Sequence, residues 1–333
     1  MFSVEQKEIP DDEIGRIIKS KLTNNIIDEY CLFGKDGTCL PRYYETGAAA
    51  VEEFEFRNED VIVASFPRSG TTWTLEMVWL LKNDLNYDGA KVEIYDRFLK
   101  LDLPGLGNSK YDSGDLNRAN SIDKLNACTG PTLIKTHLPF SLLPRQIRTG
   151  CKTPKIIFVM RNPKDTFSSF YHAGRNLLGW NVSKEEFAKV YLADKVLYGP
   201  YWKCILGYWN MRHLPNLLIL RYEEMIKDLK SIIQRTCAFL ELNPLTEEQL
   251  ERLCTHLSFN CMKNNSAVNY EKVLKDRKQY NPTDDGALIR SGKVGGYKEE
   301  MSPELIDKFD EWIKKNIENT DFNENYAYFG DVV

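Results

Sequence analysis

Apolar residues in this chain gather in short β-branched runs, each ending at a cluster of Gly, Pro, Ser or charged residues. Val61-Ile-Val-Ala-Ser-Phe66 is the first such run and predicts a buried strand. It breaks at Pro67-Arg-Ser-Gly70, after which Thr71 to Leu81 sets Trp73, Met77, Leu80 and Leu81 on a helix. Thr132 to Lys135 predicts a second strand, stopped by Thr136-His-Leu-Pro139. Lys155-Ile-Ile-Phe-Val-Met160 predicts a third, and Arg161-Asn-Pro-Lys-Asp165 then opens a helix with Pro163 in its first turn. Asn216-Leu-Leu-Ile-Leu220 predicts a fourth, followed by Arg221-Tyr-Glu-Glu and helices to about residue 257. Ser302-Pro-Glu-Leu opens a final helix over about 302–318 that carries Trp312 and Ile313.

The remaining segments lack a clear period. Residues 1–60 read as a polar lead-in, and 84–130 as long, loop-rich cover with Asp, Asn, Gly and Pro clusters. Residues 174–200 read as a lid or insertion, and 264–296 as too polar and irregular for core. Strands alternating with helices predict one α/β domain over 1–333, with a mainly parallel central sheet flanked by helices and a core of about 60–300.

Composition narrows the function classes. With 42% hydrophobic and 28% charged residues, the 333-residue chain can bury a core, which excludes a disordered protein. The 44 Lys and Arg against 48 Asp and Glu give a net charge of −4, which argues against nucleic acid as partner. The longest apolar runs are strand length, so no membrane span is expected. Cysteines at 31, 39, 128, 151, 204, 237, 254 and 261 show no zinc spacing, so no metal is expected. Cys31 and Cys39 could form a local disulfide, while the other six read as free thiols of a reducing compartment. The opening MFSVEQKEIPDDEIG carries no basic n-region or apolar h-region. The expectation is a cytoplasmic protein, in which Asn181-Val-Ser and Asn264-Asn-Ser are chance matches to the glycosylation pattern.

Three strand ends carry the chemistry. Phe66-Pro-Arg-Ser-Gly-Thr-Thr-Trp73 joins a strand to a helix, the geometry that aims free N–H groups at an anion. It is half a P-loop: Ser65 stands at the first Gly and Thr71 where the Lys would be. The amides of Ser69, Gly70, Thr71 and Thr72, with Arg68, could cradle a phosphate; an ordinary glycine turn capped by Thr is the plainer reading. The third strand ends in Arg161 where a P-loop NTPase places a metal-binding Asp, with Ser169 eight residues on. A surface ion pair is the plainer reading of Arg161. Lys135-Thr-His137 puts a charge stabiliser and a general base on one face of a strand end.

Taken in order, these motifs resemble the cytosolic sulfotransferase family over roughly residues 60–300. The resemblance implies sulfuryl transfer from the nucleotide PAPS to a hydroxyl or amine, leaving adenosine 3′,5′-bisphosphate, with no metal. It implies that the 66–73 string holds the 5′-phosphosulfate, with Trp73 on adenine, His137 as base and Lys135 and Arg68 steadying the transferring group. Arg161 and Ser169 are then 3′-phosphate contacts, and Tyr198 of Tyr198-Gly-Pro-Tyr-Trp is the tyrosine that reaches adenine. Leu257, Ser258, Phe259 and Met262 match the adenine segment, with Phe259 stacking. Arg290-Ser291-Gly292 matches the loop that closes on the 3′-phosphate.

The chain departs from the pattern at several of these positions. Arg68 replaces a usual Lys, Leu257 a usual Thr and Ser291 a usual Lys, and KEEMSPELID (298–307) lacks the Thr-Val pair of the family's dimer motif. A homodimer is possible with that motif degenerate. The aromatic cover, Phe66, Phe140, Tyr171 and the 84–112 loops, suggests a small apolar acceptor: a phenol, a steroid-like alcohol or a retinoid-like polyene. Phe66, Lys135, His137 and Phe140 are the expected acceptor contacts. A neutral His137 is required, so activity is expected to fall where imidazolium forms. Two other readings stay open: a non-catalytic binder of a bisphosphate nucleotide or hydrophobic ligand, and a Mg²⁺-dependent P-loop kinase, which the missing Lys and metal Asp disfavour.

Overall fold

The structure is a computed structural model that describes residues 4–102, 121–278 and 287–322. Five strands form one parallel sheet in the order β5-β6-β4-β7-β8: β4 (Val61–Ser65), β5 (Leu99–Lys100), β6 (Leu133–Thr136), β7 (Lys155–Met160) and β8 (Leu217–Arg221). β4 is central and buried throughout, which is why its sequence is apolar up to Ser65. Its residues still alternate between faces. Ile62 and Ala64 join Ile156, Phe158 and Met160 in one core, whereas Val61 and Val63 join Ile157 and Val159 in the other. The helix Thr71–Lys82 covers the second face through Leu75, Met77 and Val78.

Because every strand runs the same way, the carboxyl ends of β6, β4 and β7 lie side by side at one edge. The three chemical motifs of the sequence are thereby brought together. The four expected strands are present within one residue at each end, and the final helix spans Pro303–Ile317.

The segments without a period are built differently from the expectation. Residues 4–60 are no lead-in: β1 (Gln6–Glu8), β2 (Tyr30–Phe33) and β3 (Thr38–Pro41) form a second, antiparallel sheet. Its register places Cys31 opposite Leu40 and Cys39 opposite Leu32, so the two sulfurs leave opposite faces of the ribbon and both are free thiols. Residues 174–200 are no lid. The helix Pro163–Leu178 ends at Gly179, the helix Lys184–Leu192 begins with a Ser183–Glu186 capping box, and Trp180, Phe187 and Tyr191 are buried among aromatic rings. Residues 84–102 contribute β5 and bury Ile94, Phe98 and Leu101, while the tip of the expected cover, 103–112, lies outside the described residues. Ala267, Val268, Tyr270 and Leu288 make part of 264–296 core after all.

Candidate active site

The turn after β4 sets the site. Gly70, at φ +106°, ends it and begins the helix Thr71–Lys82. A Cβ there would meet the Tyr222 ring at 2.8 Å, so only glycine fits. No side chain caps this helix, which leaves its first-turn N–H groups without an intrahelical acceptor. Ser65 Oγ and Thr71 Oγ1, 2.6 Å apart, tie the strand end to the helix start.

At the end of β6, His137 is held at two points. Its backbone N–H donates to Asp102 Oδ2 at 2.7 Å, and Nδ1 lies 2.8 Å from the Ser65 carbonyl oxygen. A carbonyl can only accept, so Nδ1 carries the proton and Nε2 the lone pair. Burial, then the Lys135 charge, push the imidazole pKa down to about 3, so the ring is neutral and basic only through Nε2. Lys135, on the same strand face, is buried and pairs with Asp102 Oδ2 at 3.2 Å. Against its own burial, the Lys135 charge and the His137 backbone N–H hold the Asp102 carboxyl below the usual range.

The end of β7 supplies Arg161, whose guanidinium lies 4.3 Å from the Tyr222 ring centroid and donates to the Arg68 and Lys293 carbonyls. Arg68 sits at φ +70° and donates through Nε to Ser169 Oγ at 3.2 Å and through Nη2 to the Leu288 carbonyl at 2.9 Å. Burial lowers its pKa to about 10, which leaves it charged. The loop opposite is anchored by Asp165, which accepts from the Gly295 and Tyr297 amides. Arg290 pairs with Glu300, which also holds His172 at 2.7 Å.

A cavity of about 310 Å³ joins these groups. Arg68, Gly70, Thr71, Thr72, Trp73, Lys135, His137, Arg161, Ser169, Tyr198, Leu257, Phe259, Met262, Arg290, Ser291 and Gly292 all line it. Four expected residues do not. Phe66 is wholly buried against Phe170, Tyr191 and Tyr201, and Phe140 faces a separate groove with Tyr44 and Leu142. Ser69 is buried behind the turn, and Ser258 caps the helix Phe259–Asn264. Tyr171 is also buried outside the cavity.

Tyr198 lines the cavity but not where it was expected. Its ring stands edge-on to His137, 5.1 Å away. The tyrosine next to Trp73 is Tyr222, at 5.6 Å. Tyr222 follows β8 directly, as the other motifs follow their strands, and that position is the signal by which the sequence could have revealed it. Asp102, Tyr95 and Lys100 of the β5 region, and the apolar Phe170, Ala173, Leu177, Leu178 and Leu197, are further lining residues that sequence reasoning missed.

The family model for the sulfotransferase domain matches residues 58–321. The chain belongs to the sulfotransferase family. It is 44% identical over 318 residues to the luciferin sulfotransferase of Photinus pyralis, covering 93% of this chain and 86% of that protein. The rat (Rattus norvegicus) sulfotransferase 1 family member D1 is 33% identical over 277 residues, covering 81% and 88%. Among solved structures, retinol dehydratase in a complex with retinol and PAP superposes with a TM-score of 0.85 at 31% identity, covering 97% of this chain and 99% of that one. The same enzyme has been solved with androsterone and PAP. Among the described residues of this sulfotransferase, no helix is long and apolar enough to cross a membrane, and no group of three His, Cys, Asp or Glu is placed to hold a metal ion.

Proposed function

We propose that the protein moves the sulfuryl group of PAPS to the hydroxyl of a small, largely apolar acceptor, releasing adenosine 3′,5′-bisphosphate. The observation that carries this reading is the fixed His137 tautomer beside Lys135, on a cavity shared with the uncapped helix N-terminus. The donor set suits a polyanionic nucleotide. Among the described residues, Arg161 Nε and Trp73 Nε1 are buried without a hydrogen-bond partner, and both residues line the cavity with Arg68, Thr71 and Thr72.

When bound, PAPS supplies the activated sulfuryl group. The first-turn amides, Thr71, Thr72 and Arg68 would hold its phosphosulfate, Arg161 and Ser169 its 3′-phosphate, and Trp73, Tyr222 and Phe259 its adenine. His137 Nε2 takes the acceptor's hydroxyl proton; a phenol, with a pKa of about 10, gives it up more readily than an alkyl alcohol. Lys135 places a fixed cation where negative charge builds. For the acceptor, the apolar wall of Phe170, Ala173, Leu177, Leu178 and Leu197 suits flat rings or polyenes. Luciferin in one relative's name, and retinol and androsterone in the structures of another, point to the same class.

Thermal melts test the donor. Adenosine 3′,5′-bisphosphate at a hundred times its Kd adds about 2.7 kcal/mol of stability, which is easily read as a raised midpoint. A rise with ATP and Mg²⁺ but none with the bisphosphate overturns the reading. Transfer of labelled sulfate from PAPS to a panel of phenols and apolar alcohols then tests catalysis. His137→Ala should slow it by about 10²- to 10⁴-fold; undiminished transfer removes His137 as the base.

A further inference from the structure

We propose that Asp102 is a positioning residue that holds Lys135 as a fixed cation beside His137; this rests on the sulfuryl-transfer reading above. Asp102 is wholly buried, and its neighbours explain how it reaches the site. β5 pairs Lys100 with Lys135, and the Leu101 amide donates to the Lys135 carbonyl, which draws the following residue alongside the end of β6. One oxygen, Oδ2, then takes both the Lys135 ammonium at 3.2 Å and the His137 backbone N–H at 2.7 Å. A single carboxylate therefore fixes the two groups to which the transfer reaction assigns work.

Stability alone gives no reason for such a pair, because apolar residues of similar volume would serve a core as well or better. Chemistry does give one. A flexible lysine beside a bound polyanion would follow the anion and strengthen ground-state binding, which raises no rate. Tethered to Asp102, Lys135 stays where charge develops on the transferring group, and its attraction for the resting donor is partly cancelled. Removing the carboxylate charge should therefore slow turnover without weakening the nucleotide, a split that general structural damage does not produce.

Asp102→Asn, Lys135→Met and the double variant, each in the full chain, test this. Asp102→Asn should lower kcat by about 10- to 100-fold while the bisphosphate binds as tightly as before or tighter. In the Lys135→Met background the same change should cost less than about threefold, because its effect runs through Lys135. A kcat within about twofold of the parent, or an undiminished loss in the Lys135→Met background, overturns the proposal.

A stability measurement covers a failure of Asp102→Asn to fold, and it stands even if no sulfuryl transfer is found. In Lys135→Met the carboxylate faces His137, Lys100 and the phenols of Tyr43, Tyr44, Tyr198 and Tyr208 without its cation. That protein should melt below the double variant at about pH 7.5, and the two midpoints should converge near about pH 5.5 as Asp102 takes up a proton. Equal midpoints at the higher pH mean that the pair does not exist.

Discussion

Acid should weaken this protein through His137, and the size of the effect follows from the structure. The imidazole titrates near its ordinary 6.5 in the unfolded chain, but burial beside Lys135 takes it to about 3 in the folded one. Between these values the unfolded state binds the extra proton, so folding stability falls as pH falls. At pH 5 the cost is about 2 kcal/mol, from 1.5 pH steps at about 1.36 kcal/mol each, and any folded value below about 4 gives nearly the same figure. Urea unfolding of the parent and of His137→Gln, at about pH 8 and about pH 5, isolates the contribution. The parent should lose about 2 kcal/mol more than the variant over that interval. The acid limb of kcat/KM, which reports the free enzyme, should likewise lie well below pH 6.5. Equal losses in the two proteins, or a His-dependent limb near 6.5, would refute the reasoning. The family resemblance alone suggests a fall where ordinary imidazolium forms; the folded surroundings move that fall to lower pH.

Two glycines give further expectations. At Gly174 a Cβ would stand 1.9 Å from Cε3 of the buried Trp180, so Gly174→Ala should cost about 1–3 kcal/mol by chemical denaturation, and a loss under about 0.5 kcal/mol would show that the ring yields. Gly292 sits at φ +64° with a would-be Cβ 2.4 Å from the Phe259 ring, so Gly292→Ala should cost about 1–3 kcal/mol of stability and raise the bisphosphate Kd about tenfold or more by calorimetry. Unchanged affinity would place Phe259 outside the adenine site.

Much of the candidate site was legible because its residues follow strands. A β-branched run marks a strand, the break after it marks the sheet's carboxyl edge, and in a parallel sheet all such breaks share one edge. Arg68, Lys135, His137 and Arg161 were found in that way. Asp102 was not: it follows a strand of two residues within a stretch of turn formers, and its position depends on β5 pairing with β6. The two tyrosines show the same limit. Tyr198 and Tyr222 each stand in a segment of plausible pattern, and only the packing sets one against His137 and the other against Trp73.

The parallel sheet, the turn after β4 and the family were legible before folding, since strand propensity, glycine turns and motif spacing are local properties of the chain. Tertiary structure alone decided which aromatics became core, as at Phe66 and Trp180, because burial depends on what lies across the space. It also decided that the early strands form a second sheet, since segments as short as Gln6–Glu8 exist only by pairing with distant residues. The neutral state of His137 and the charge pair beneath it belong to the same class. A pKa is set by surrounding dielectric and neighbouring charge, and neither exists until the chain has folded.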